Sequence, residues 1–343
     1  MKCLSLILLI LTVTSPAFAG EVPDWVEKTK LSGYMFGDAY WMGQNHDQEL
    51  EGANGFWFRR IYLTFDYTIS DKLSARLRFE GASPGDFESS DTTEPFAKDA
   101  YIRWKSGDRS LYLGISSTPT WGIVEKEWGY RAVEKTPLDL QKLGSSRDFG
   151  VALKGKFGSG GNFGYHAMFG NGSSTKGETN EEKKAMLSVW FNPSDGWMFE
   201  VYGDVDARPG EADRTTLQAF AAYRADWGRV GLQAAQQNRE TASASDLDLN
   251  IASIFGVYAV NEKVNVLGRI DRMFDANPDG AKISYLPFDP TAESTLALVG
   301  VDYKVHKQFS LIPNLEYIFY DGVAGAPDPD NDLMVRLTFY FKF

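Results

Sequence analysis

Leu333-Met334-Val335-Arg336-Leu337-Thr338-Phe339-Tyr340-Phe341-Lys342-Phe343 closes the chain on a period of two. Leu333, Val335, Leu337, Phe339, Phe341 and Phe343 share one face; Arg336, Thr338, Tyr340 and Lys342 share the other. Successive side chains of a strand point to opposite sides, so this segment reads as a strand with one apolar and one wet face. Leu73 to Gly81 repeats the pattern, with Leu73, Ala75, Leu77 and Phe79 against Ser74, Arg76, Arg78 and Glu80. Ile61 to Tyr67 does so again. A soluble sandwich also alternates, but it has no reason to keep Arg and Lys on the enclosed side of strand after strand. A barrel in lipid, apolar side outward, does.

Working outward, the alternation predicts strands at 30–42, 56–69, 72–82, 96–105, 110–117, 147–157, 161–171, 183–192, 196–207, 214–226, 229–240, 249–260, 263–273, 294–305, 308–320 and 333–343. That is an all-β chain: a transmembrane antiparallel β-barrel of about 16 strands. Short links such as Ser70-Asp71, Gly158-Ser159-Gly160 and Trp227-Gly228 alternate with longer ones such as 43–55, 118–146 and 274–293. Short turns at one rim and long loops at the other are the habit of outer-membrane barrels, and the parity puts both chain ends at the short-turn rim. Pro313 lacks a ladder donor and predicts a bulge or local break in the strand at 308–320. Aromatics gather at both rims: Phe65, Tyr67, Trp104, Phe157, Phe163, Phe191, Trp197, Trp227 and Phe343 at the short turns, and Tyr40, Trp41, Phe56, Trp57, Phe58 and Phe319 at the long loops. Such girdles sit at the headgroup level.

The N-terminus sets the compartment. Met1-Lys2, the apolar Leu4–Val13 and Ala17-Phe18-Ala19 read as a signal peptide over 1–19, with one barrel domain over 20–343. The apolar run is too short to span a bilayer. The single cysteine, Cys3, lies in that segment, so the exported chain has no disulfide or thiol chemistry. The net charge of −11 argues against nucleic acid as a partner.

Phe58-Arg59-Arg60-Ile61-Tyr62-Leu63, Leu77-Arg78-Phe79-Glu80-Gly81, Lys98-Asp99-Ala100-Tyr101-Ile102-Arg103-Trp104, Leu111-Tyr112-Leu113-Gly114 and Arg147-Asp148-Phe149-Gly150-Val151 resemble the phosphate-selective porin O and P family. The likeness runs to Phe343 and implies a sixteen-stranded barrel, commonly a homotrimer in outer-membrane lipid and lipopolysaccharide, whose third outer loop folds into the lumen. By position that loop is 118–146. Its Trp121, Ile123, Val124, Trp128, Tyr130, Val133, Leu138, Leu140 and Leu143 would expose too much apolar surface if it lay free, which also favours an inward fold.

Parity and the loop together nominate pore-lining and constriction residues: Arg60, Arg76, Arg78, Glu80, Asp99, Arg103, Lys126, Arg131, Glu134, Lys154, Lys156 and Arg336. Basic groups concentrate on the second to sixth strands and acids on the ninth to fifteenth. Within the loop, Lys126, Arg131, Lys135 and Lys142 interleave with Glu125, Glu127, Glu134 and Asp139, so its charge nearly cancels. Charged rings and constriction width set channel selectivity, and this balance predicts a passive diffusion channel for small polar or ionic solutes with weak ion selectivity, not a phosphate filter. The competing expectation is a barrel that sheathes or docks a periplasmic partner such as an electron carrier.

No cofactor, metal site or enzymatic centre is expected. His46, His166 and His306 fall in a long loop, on the lumen face and at a short turn, where they cannot assemble with a serine. Asp328-Pro329-Asp330-Asn331-Asp332 begins like a calcium loop but lacks its Gly and closing Glu, and reads as a solvated outer loop with divalent bridging to lipopolysaccharide as the other possibility.

Overall fold

A computed structural model of the chain describes residues 23–89, 92–210, 212–241, 245–322 and 328–343. The expected signal peptide at 1–19 lies outside the described residues. Among those residues sixteen strands form one closed antiparallel barrel: β1 Thr29–Gln44, β2 Asn54–Thr68, β3 Leu73–Gly81, β4 Phe96–Ser106, β5 Arg109–Ser117, β6 Arg147–Phe157, β7 Phe163–Gly170, β8 Lys184–Phe191, β9 Trp197–Asp206, β10 Arg214–Ala225, β11 Gly228–Arg239, β12 Leu247–Ala259, β13 Val264–Met273, β14 Ala292–His306, β15 Phe309–Gly322 and β16 Asp332–Lys342. Each strand pairs with its neighbours in sequence, and β1 closes on β16 from Tyr34↔Lys342 to Met42↔Met334. Closure leaves no sheet edge, which is what a strand protein needs in hydrocarbon, where an unpaired backbone amide has no water to bind.

The outside is apolar. Ile102, Leu113, Phe169, Val201, Leu217, Leu232, Ile254 and Val299 are each at least half exposed around the wall. A closed barrel with such a belt is an integral outer-membrane protein. Phe157, Phe163 and Phe191 stack outside the short-turn rim, with centroids 5.4 and 4.4 Å apart. Two residues expected in the long-loop girdle turn inward instead. Trp57 is buried, donates from Nε1 to Asp38 at 2.8 Å, and stacks on Tyr40 at 3.7 Å.

At Pro313 the local break appears and the bulge does not. It stays in register with Leu337 of β16. On the β14 side the pairing lapses between Gly300↔Asn314 and Tyr303↔Leu311 and then resumes in the same register; the β14–β15 register shift lies further on, between Lys304 and His306. A missing N–H therefore costs local ladder bonds without a bulge at the proline itself.

Two long loops fold back into the barrel. The first, 118–146, carries the helices α1 Gly122–Trp128 and α2 Pro137–Leu140. Trp121, Val124, Trp128, Tyr130, Val133, Leu138 and Leu143 pack on the inward side chains of β10–β15, among them Phe220, Leu249, Phe255, Leu267 and Leu298. The second, 274–291, brings Ile283, Leu286 and Phe288 against Leu140, Met42, Leu296 and Met334. The inner wall of β10–β15 is thus apolar where the loops cover it, and the lumen is narrowed from that side.

Candidate functional site

The loop 118–146 crosses the lumen because it is fastened at several points. Gln237 donates to the Leu143 carbonyl at 2.7 Å, and Arg229 to the Trp128 carbonyl at 2.9 Å. Tyr130 donates to Asp302 at 3.0 Å. Arg269 lies 5.0 Å over the Trp128 ring. Across the lumen, Glu134 meets Arg336 of β16 at 2.9 Å and Arg59 of β2 at 3.4 Å. Arg336 also holds Glu316 at 2.9 Å, Arg59 holds Asp38 at 2.8 Å, and Arg59 donates to the Ala132 carbonyl. All five charged side chains are at most 3% exposed. Burial alone would raise the Glu134 carboxyl, but Arg336 first and then Arg59 and Lys135 outweigh it and hold it well below the usual carboxylate range. Burial pulls the neighbouring Lys135 ammonium down to about 8, against the attraction of Asp139 and Glu134.

Glu134 and Arg336 are therefore corrected from pore lining to fasteners: they are sealed between loop and wall. The other expected cations lie elsewhere. Arg60 pairs with Glu80 at 2.8 Å; Arg76 grips Asp66 through two nitrogens at 2.7 and 3.0 Å; Arg78 meets Asp99 at 3.4 Å. The three arginines are partly exposed on the inner face of β2 and β3. Lys154 donates to Ser117 at 2.7 Å. Arg103 stands on the same face of β4, where no carboxylate among the described residues lies within ion-pair distance, and Lys156 is exposed near the short-turn rim, away from the others. On the loop, Arg131 bridges Glu125 at 3.5 Å and Asp139 at 3.3 Å, while Lys126 is exposed. Burial raises the Glu125 carboxyl and Arg131 opposes it.

Strict alternation misses three inward cations: Lys98 and Arg147, which join this wall, and Arg59, which is sealed beneath the loop. The register shifts between Phe36 and Gly37 opposite β2, so Arg59 and Arg60 both turn inward. A second shift, between Arg78 and Phe79, lets Lys98 turn in beside Asp99, where it reaches Glu80 at 3.0 Å. A bulge adds one residue to one strand and re-aims its side chains. Arg147, the first residue of β6, pairs with Asp99 where the loop rejoins the wall. An Arg-Arg or Lys-Asp doublet inside an alternating strand is the signal that could have revealed the two bulges.

The wall of β2–β6 thus presents Arg60, Arg76, Arg78, Lys98, Arg103, Arg147 and Lys154 around Asp66, Glu80 and Asp99, a local cationic excess in an acidic chain. Under the loop at the short-turn end is a vestibule of about 500 Å³, bordered by Glu125, Lys126, Arg131, Arg229, Lys304 and Lys342. At the long-loop end a smaller cavity of about 80 Å³ is bordered by Thr118, Ser145, Arg147, Lys184 and Arg208.

Solved structures share this architecture. An anion-selective porin from Comamonas acidovorans superposes with a TM-score of 0.68 at 14% identity, over 92% of this chain and 99% of that one. The fold is that of the sixteen-stranded outer-membrane porins. OmpT, an outer membrane protein of Vibrio cholerae described in a trimer form, gives 0.62 at 13% identity over 92% and 99%. A mutant of the Rh. blastica porin gives 0.61 at 16% over 92% and 100%. No protein-family model matches the sequence, and no curated protein matches it.

The remaining site expectations resolve individually. His46 bonds Asp332 at 2.9 Å and lies near Tyr320, so Asp332, fully buried, leaves the expected solvated acidic loop. His166 is buried on the lumen side of β7 and His306 is exposed at a short turn. Among the described residues no three His, Cys, Asp or Glu side chains are grouped to hold a metal.

Proposed function

We propose that the barrel is a passive diffusion channel for small polar and ionic solutes, performing no covalent chemistry, with weak selectivity that favours anions. One observation carries this: the constriction loop packs on the apolar inner wall of β10–β15 and leaves the cationic wall of β2–β6 partly exposed to the lumen. A solute passing between them meets an excess of guanidinium and ammonium groups, several already engaged by carboxylates. Partial neutralisation supports weak rather than strict selectivity. It also supports a general channel over a phosphate filter within the resemblance to the porin O and P family. The Comamonas porin that shares the fold is itself described as anion-selective, which is in keeping with this reading.

A lumen crossed by an anchored loop supports conduction over a sheath, since a sheathed partner would need that volume. Liposome swelling with sugars of graded size tests it: entry should fall off with size, and no entry at any size would exclude transport. We further infer assembly as a homotrimer; native mass spectrometry from detergent should give three copies, and a monomer would contradict it.

A further inference from the structure

On the open half of the lumen the cations are interleaved with tyrosines. Tyr340 lies 6.1 Å from Tyr34 between ring centroids, and Tyr34 lies 4.5 Å from Tyr62. The Arg78 guanidinium stands 5.6 Å over Tyr62. Two residues before it on β3, Arg76 stands 5.9 Å over Tyr101; Tyr101 meets Tyr112 edge-on at 5.2 Å, and Lys154 ends the run 5.0 Å over Tyr112. The belt crosses from β16 through β1 to β6; Ala132 of the loop packs at its Tyr340–Tyr34–Tyr62 end, and the remainder, from Arg78 to Lys154, lies on the side the apolar face of the loop leaves open. Tyr34, Tyr101, Tyr112 and Tyr340 are only partly buried, and none of their hydroxyls is hydrogen-bonded among the described residues. Structural packing alone would not need four free phenol tips facing water.

We propose that this belt is a binding lane for ring carboxylates, solutes that carry a carboxylate on a ring with an apolar face, whether an aromatic acid or a sugar acid. The inference rests on the reading of the barrel as a channel. A phenol face takes the flat side of such a ring, and the carboxylate takes single charge-assisted hydrogen bonds from the Lys154 ammonium and from the guanidinium N–H groups of Arg76 and Arg78 that Asp66, Thr64 and Asp99 leave free. A small anion such as acetate or chloride engages only the cations. Because faces and cations recur along the belt, a bound solute finds its next partner close by, as conduction through a binding pore requires.

The test uses the full chain in planar bilayers carrying chloride current, with sodium benzoate, sodium glucuronate or sodium acetate added. At least one ring acid should halve the current at a concentration about fivefold below that of acetate, the order of one added aromatic contact. Greater potency of benzoate assigns the lane to aromatic acids, and of glucuronate to sugar acids. The paired substitution Tyr101→Leu and Tyr112→Leu should erase the difference from acetate, while Tyr101→Phe with Tyr112→Phe should retain it. Acetate as effective as both ring acids would overturn the lane and leave the channel standing. So would a Leu pair that keeps the difference. Absence of chloride current in the unsubstituted chain would overturn the channel, and the lane with it.

Discussion

Glu134 is the side chain on which the constriction turns. It carries negative charge from the loop to two arginines on opposite sides of the barrel seam, Arg59 of β2 and Arg336 of β16. Removing one partner of a buried ion cluster strands the rest, at about 3–5 kcal/mol. Glu134→Ala should lower the thermal midpoint and make the single-channel current noisier as the loop loosens; an unchanged midpoint and a quiet trace would show that the apolar contacts suffice. The pH dependence follows from the depressed carboxyl. A folded pKa below the unfolded value of about 4.3 means that the stabilisation is complete above that value and is lost as pH falls through the folded one. Conductance should hold steady from neutral pH to about 4.5 and become unstable only in stronger acid. Loss of the steady level between about pH 7 and 5 would contradict this. Arg59 itself shows where alternation stops being a guide: in Phe58-Arg59-Arg60-Ile61 a period of two sends one arginine to lipid, and the chain avoids this by a bulge that turns both inward.

Among the elements, the strands were the most legible in the sequence. The expected strand at 147–157 is β6 to the residue, and most others agree within two residues, because every one faces lipid on one side and water or loop on the other. The loop at 118–146 was legible from its burden of Trp, Leu and Val, which had to be covered. Loop 274–291 was not. Ile283, Leu286 and Phe288 follow no helical or strand period, with Pro287 between the last two, and their burial depends on a pocket made by Leu140 and Met334, residues far away in sequence. Which of the loop's charges would face water was equally hidden, since Glu134 and Arg131 are three residues apart and differ only in what lies opposite. Trp128 is the deepest anchor of the first loop, 1% exposed against Phe255 and Arg269. Trp128→Ala should cost about 3–5 kcal/mol and raise the conductance by freeing α1 from the wall. A lower or unchanged conductance in bilayers would show that α1 does not bound the passage.

At the scale of the whole molecule, an acidic chain surrounds a passage with a cationic side. The net charge is −11, yet the wall of β2–β6 carries more cations than carboxylates, and only the closed barrel brings that wall opposite the loop. The field a solute meets is therefore set by which strands the loop covers rather than by net charge. Arg76→Glu together with Arg78→Glu should shift the reversal potential toward cations, and a shift the other way would place the passage elsewhere. The most direct measurement of the central claim is the reversal potential of the unsubstituted chain in a planar bilayer under a tenfold potassium chloride gradient. A stepwise conductance with a small reversal potential of the sign set by chloride is expected. No conductance, or a potential near the potassium limit, would contradict an anion-favouring channel along the β2–β6 wall.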